Sequence, residues 1–149
     1  MSKNVSKLRR FLELKKQSRD KWKEIEYNIK NKVEIDYIWE YHIECGFCRI
    51  SDILSKHSDD CSNCKLHNTT IDGKRVCNFA GECNHVSKAL IHADNNRWAK
   101  ALEHCRLVLE TIRIDIQNDA KKLRRWRGND EEIKGKAKTK SNNRRGKSI

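Results

Sequence analysis

The chain has 149 residues, 36 % of them charged, a formal net charge of +12 and a mean hydropathy of −0.94. Such a composition buries only a modest core, sized for one domain and in need of a staple, and no run approaches the roughly 18 apolar residues of a membrane span. The first residues carry no apolar leader and the seven cysteines are an odd number, so the expected setting is a cytoplasmic, reducing one in which thiols stay free or hold metal.

Residues 4 to about 31 are predicted to form an amphipathic helix, because Val5, Leu8, Phe11 and Leu12, then Trp22, Ile25 and Ile29, recur at helical spacing. The stripe is interrupted at Lys15 and Ser18, which suggests two packing contacts rather than one seam. Residues 33 to 45, "VEIDYIWEYHIEC", place apolar or β-prone residues at every odd position and mostly charged ones between. That alternation predicts a strand ending at Cys45. Residues 45 to 85 hold six of the seven cysteines. Within them "TTIDGKRVC" predicts a tight hairpin, because Asp72-Gly73 sits between β-prone flanks and glycine takes the positive φ such a turn needs.

Residues 95 to about 126 are predicted as a long helix of roughly 45 Å, with Trp98, Leu102, Cys105, Leu109, Ile112, Ile116 and Leu123 on one stripe. Asp94 or Asn95 would cap its start and Gly128 would stop it. Asp119 breaks the seam. The stripe is expected to pack on the N-terminal helix within a monomer, in preference to a coiled-coil dimer. Beyond Gly128 the chain has one large apolar residue before Ile149, too few to offset its ordering entropy, so residues 128–149 are expected to be a disordered basic tail. The expected fold class is therefore α+β, mostly α. One domain, 1–127, packs two long helices on a small β-hairpin module.

The densest chemical signal is "CGFCRISDILSKHSDDCSNC", two Cys-x-x-Cys pairs twelve residues apart. Two residues between cysteines let both sulfurs point at one ion, and a second pair closes a tetrahedral site. Cys45, Cys48, Cys61 and Cys64 meet that need for Zn²⁺; an iron–sulfur cluster could use the same ligands. His67, Cys77, Cys83 and His85 are further ligand-type residues, and two groupings stay open. In one, the paired cysteines hold a first ion and His67, Cys77, Cys83 and His85 a second. In the other, a treble-clef-like site uses Cys61 and Cys64, then the hairpin, then Cys83 and His85 at a helix start. Cys105 is simplest as a small core residue. His42, His57, His92 and His104 have no ligand-like spacing.

Enzyme readings fit poorly. The Cys-Gly-Phe-Cys resembles a thiol–disulfide oxidoreductase site over four residues only, and the chain has no proline to stand against the pair as it does in those folds. His42-x-Glu44 abuts Cys45 instead of lying well upstream of a Pro-Cys-x-x-Cys, as in zinc deaminases. "CNH" at 83–85 does not order its residues as a His-Asn-His nuclease does.

The order Trp39-Glu40, Cys45-x-x-Cys48, Cys61-x-x-Cys64-Lys-Leu, Cys77, Cys83 and "RWAKALEHCRLVLETI" at 97–112 resembles a diffuse group of small cysteine-rich proteins of bacteriophages and mobile elements. The resemblance covers roughly residues 37–116, with Lys65 where a proline is usual. It implies a zinc-stapled phage protein and no activity.

Charge adds a direction. Residues 121–149 hold twelve Lys or Arg and three acids, which is +9 of the total, and the first 120 residues carry +3. A balanced body with a strongly basic end suits a polyanion partner. The expected function is non-catalytic association with nucleic acid or a nucleoprotein complex, stabilised by one or two zinc ions. Lys121, Lys122, Arg124, Arg125 and Arg127 would meet phosphates, and Trp126 would either stack on a base or cover the helix stripe. The competing expectation is an interaction protein that inhibits or redirects a host machine, as a phage counter-defence factor would.

Overall fold

Each apolar stripe winds into a helix whose buried face follows the sequence spacing. In the computed structural model, which describes residues 3–33, 45–54, 63–78 and 83–141 (129–141 as helical backbone only), α1 spans Lys3–Lys30 and α2 spans Gly46–Leu54. A single turn, α3, spans Lys65–Asn68; the hairpin strands are β1, Thr70–Ile71, and β2, Lys74–Arg75. Then come α4, His85–Asp94, and α5, Trp98–Ser141. The chain is mostly helical, with one two-stranded antiparallel sheet among the described residues. The strand expected over 33–45 lies almost wholly outside the described residues.

Val5, Leu8, Leu12, Trp22, Ile25 and Ile29 of α1 are buried in one core with Ala101, Cys105, Val108, Ile112, Ile116 and Leu123 of α5. The two helices run antiparallel, since Lys15 meets Asp119, the Cys105 thiol faces the Trp22 carbonyl and Arg106 meets Glu26. The long stripe of α5 is thus consumed within the chain. Its polar breaks are matched: Lys15 Nζ lies 2.6 Å from both Asp115 Oδ2 and Asp119 Oδ2, with all three side chains largely buried. The Asp119 contact is a hydrogen bond, whereas Asp115 Oδ2 is off the hydrogen-bonding direction and is held by charge alone.

The middle of α1 also receives α2. A Cβ on Gly46 would fall 1.7 Å from the Leu14 carbonyl oxygen, so only glycine lets the start of α2 lie on the α1 backbone. Phe47 is buried beneath Lys15, whose ammonium sits 5.7 Å from the ring centre. Ser18, the other break in the stripe, is buried with its hydroxyl 3.5 Å from the Cys45 sulfur.

The hairpin forms as its sequence predicts. Asp72 and Gly73 both take positive φ, 51° and 77°, which matches the right-handed strand twist, and Thr70 pairs with Arg75 and Ile71 with Lys74. Two boundaries differ from expectation. Asn95 closes α4 rather than opening α5: its amide bonds the Ile91 carbonyl, and Asn96 follows at φ 60°. At the other end, α5 does not stop at Gly128 but continues to Ser141. Gly128 does not adopt the positive φ of a helix-ending glycine, and an interior glycine costs only about 1 kcal/mol relative to alanine. The segment 128–141 expected as disordered tail is therefore helical backbone, and residues 142–149 lie outside the description.

Candidate functional site

Three segments carry thiols to one place beside α1. Cys45 precedes α2 and accepts from the Arg49 amide at 3.1 Å, so Cys45 and Cys48 flank the first turn of that helix. Cys64 is the N-cap of α3. The hairpin then folds the chain back: the Val76 amide donates to Thr69 O at 2.9 Å and the Cys77 amide to Leu66 O at 3.1 Å. Cys77 is thereby fixed against α3, two residues beyond Cys64. Cys45, Cys64 and Cys77 are buried in the main core and Cys48 packs on it.

The four sulfurs feel one another. The Cys48 thiol is pushed far above the ordinary thiol range: it hydrogen-bonds Cys45, burial disfavours its charge, and the sulfurs of Cys45, Cys77 and Cys64 add repulsion. Among the described residues, no three His, Cys, Asp or Glu side chains already stand in ligand geometry. The cluster is a set of converging thiols, with Cys45 engaged by Ser18 and Cys48. Its donor chemistry, soft sulfur without a carboxylate, fits Zn²⁺ or an iron–sulfur centre better than a hard cation. Cys61 lies outside the described residues.

The other ligand-type residues are placed elsewhere. Cys83 is exposed. His67 is partly exposed, with its Nδ1 buried and unpaired among the described residues. His85 is 2 % exposed and both ring nitrogens are engaged. Its Nε2 is 2.8 Å from Ile71 O, and its Nδ1 is 2.9 Å from His104 Nδ1. The carbonyl can only accept, so His85 donates to it from Nε2. His92 stacks on His104 at 5.5 Å. Burial is the main cause that lowers the His104 pKa, with His85 and His92 adding to it; burial, then Arg97, Lys100 and Lys88, lower that of His92. This three-histidine contact ties β1, α4 and α5 together. Residue spacing does not signal it, because His92 and His104 meet only when the α4–α5 turn folds back.

Cys105 is a core residue, as expected. Burial pushes its thiol up to about 12, and it points at the Trp22 carbonyl, 3.9 Å away.

The basic stretch of α5 lies on the face away from the core. Lys121, Lys122, Arg124, Arg125 and Arg127 are exposed, while Leu123 between them is buried. Among the described residues none of the five forms an ion pair with an acid. Lys121, Arg124 and Arg125, with Asn118 a turn earlier, line a surface cavity of about 510 Å³. Trp126 packs against the core with the Lys122 ammonium 4.8 Å from its ring centre. It covers the helix stripe, the blander of its two expected roles.

No helix among the described residues is long and apolar enough to cross a membrane. No family model matches the chain, and no curated protein or solved structure matches it either.

Proposed function

We propose that the chain is a non-catalytic, zinc-stapled protein that binds nucleic acid, or a nucleoprotein complex, through the basic stretch of α5. The observation that carries this reading is the row of cations at 121–127. They occupy the outer face of a helix whose inner face is spent on the core, and no described acid neutralises them. Lys121, Arg124 and Arg125 converge with Asn118 on one concavity, a suitable seat for a phosphate backbone, which Lys and Arg meet by charge and by paired N–H donors. Phosphate contacts of this kind position a protein on its nucleic acid without reading sequence, and Trp126, already spent on the core, adds little base stacking. Zinc would serve the fold: the thiol cluster sits where α1, α2 and the hairpin meet, so a metal there would lock the module against which the helices pack.

A second reading keeps a specific observation behind it. Ile53 and Leu54 at the end of α2, and Ile114 on α5, are 44 %, 43 % and 45 % exposed, and apolar residues left outside a core suit a protein partner, such as a host machine the chain would inhibit or redirect. Capture of partners from host lysate, with and without nuclease, separates the two. Nucleic-acid binding predicts that the captured material is lost on nuclease treatment. A protein partner retained after nuclease overturns it in favour of the second reading.

A further inference from the structure

Five cysteines crowd residues 45–77, yet a tetrahedral zinc takes four. We infer that a single zinc is held by Cys45, Cys48, Cys64 and Cys77, with Cys77, not Cys61, as the closing ligand. The inference rests on the zinc reading above and settles which thiols it uses.

The Cys-x-x-Cys spacing alone pairs Cys61 with Cys64. The fold supplies a different neighbour. Cys64 caps α3, and the hairpin returns the chain so that the Cys77 amide bonds the carbonyl of Leu66, in the turn that Cys64 opens. Val76, at 0 % exposure, anchors that return from both sides: its amide donates to Thr69 O and its carbonyl accepts from the Val86 amide at the start of α4. Cys77 is therefore held in place by three backbone hydrogen bonds at its own position and the one before, without help from a metal. On the facing side, Gly46 lets α2 lie on α1, and that contact sets Cys45 and Cys48. The four sulfurs thus come from two rigid supports, α2 on α1 and the hairpin on α4. All four lie in or on the same core. Closing on one ion would bring these four sulfurs into tetrahedral geometry. It also releases the thiol protons, since Zn²⁺ binds thiolate.

The same geometry removes the second ion. His85 has both nitrogens committed to Ile71 and His104, and Cys83 is exposed. With Cys77 in the first site, His67 keeps no partner set.

The test measures zinc per chain by elemental analysis and zinc affinity by chelator competition, on full-length wild type and the Cys61→Ser, Cys77→Ser, Cys83→Ser and His85→Asn variants. The expected result is one zinc in the wild type, with Cys61→Ser and Cys83→Ser retaining it at unchanged affinity. Cys77→Ser should lose more than the about 10–100-fold that an outer-shell change costs. If Cys77→Ser fails to fold, Cys61→Ser still decides. Its Co²⁺-loaded form should keep the wild-type thiolate charge-transfer absorption, and a weakened band overturns the ligand set. Two zinc ions per wild-type chain, or zinc lost from Cys61→Ser, contradict this grouping and leave the zinc reading standing. A folded wild type without zinc sinks the zinc reading itself.

Discussion

Replacing Lys15 with methionine removes the cation that joins the two polar breaks in the α1–α5 seam. The ammonium lies 2.6 Å from carboxylates of both Asp115 and Asp119. At that distance and an effective dielectric near 20, each contact is worth about 6 kcal/mol of gross attraction. Most of that is offset by desolvation, so the intact triad adds little net stability. Removing one member is different, because the two carboxylates would stay behind, 8 % and 16 % exposed, one helical turn apart on α5 and without their counter-charge. The expected cost is about 3–5 kcal/mol, as for breaking other buried pairs. The assay is urea unfolding followed by circular dichroism, comparing midpoints at a common m-value. The triple change Lys15→Met, Asp115→Leu and Asp119→Leu should recover most of the loss or exceed wild type by about 1–4 kcal/mol. A Lys15→Met cost below about 1 kcal/mol, the range of surface pairs, would refute the reasoning.

Two glycines should respond in opposite directions. Gly46→Ala places a methyl against the Leu14 backbone carbonyl, so α2 must shift; a loss at or above about 3 kcal/mol, the upper end for overpacking, is expected in thermal or urea unfolding. Gly128→Ala meets nothing within 4 Å and lies in a helix without positive φ; it should be neutral or stabilise by up to about 1 kcal/mol, and a loss would mean that α5 does not continue through residue 128. Acidification should also destabilise the fold. His92 and His104 have folded pKa values below their ordinary 6.5, so the unfolded chain binds protons first. The stability present above pH 6.5 is lost as pH falls through the lower folded values. Melting temperatures between pH 7.5 and 5 should drop for wild type and drop less for a His92→Gln, His104→Gln double variant; equal drops would assign the effect to other groups.

The helices and the hairpin were legible because their signals are local. Trp98 to Leu123 at spacings of three and four, and Asp72-Gly73 between β-prone residues, each specify a structure without reference to the rest of the chain. Lys15, Ser18 and Asp119 could be seen as breaks in two stripes, but not as partners. Which break meets which depends on the antiparallel offset of α1 and α5. Helix α2 was hidden inside a run dominated by cysteines, although Phe47, Ile50, Ser51 and Leu54 do recur at helical spacing. Helix α4 carried a similar signal in Asn84, Val86, Ala89, Leu90 and Ala93. The Asn84 side chain accepts from the Ser87 amide, a local capping pattern that marks a separate start. Gly46 could not be understood from sequence, because the contact that demands it is made by Leu14, 32 positions away in the chain. The proximity of Cys77 to Cys64 likewise depends on how far the hairpin folds back, which cysteine spacing does not encode.

The cations of α5 carry the proposed nucleic-acid contact. The direct measurement is the salt dependence of binding to duplex DNA and to RNA, for wild type and for the triple variant Lys121→Gln, Arg124→Gln and Arg125→Gln. These side chains are exposed, so the variant should keep the wild-type melting temperature. Each phosphate contact on duplex DNA contributes a slope near −0.9 in log affinity against log salt. The wild type should therefore bind more weakly as salt rises, and the variant should bind less tightly with a slope flatter by up to about 2.7, alike for unrelated sequences. Failure of the wild type to bind either nucleic acid at low salt, or equal slopes for the two proteins, would contradict the assignment.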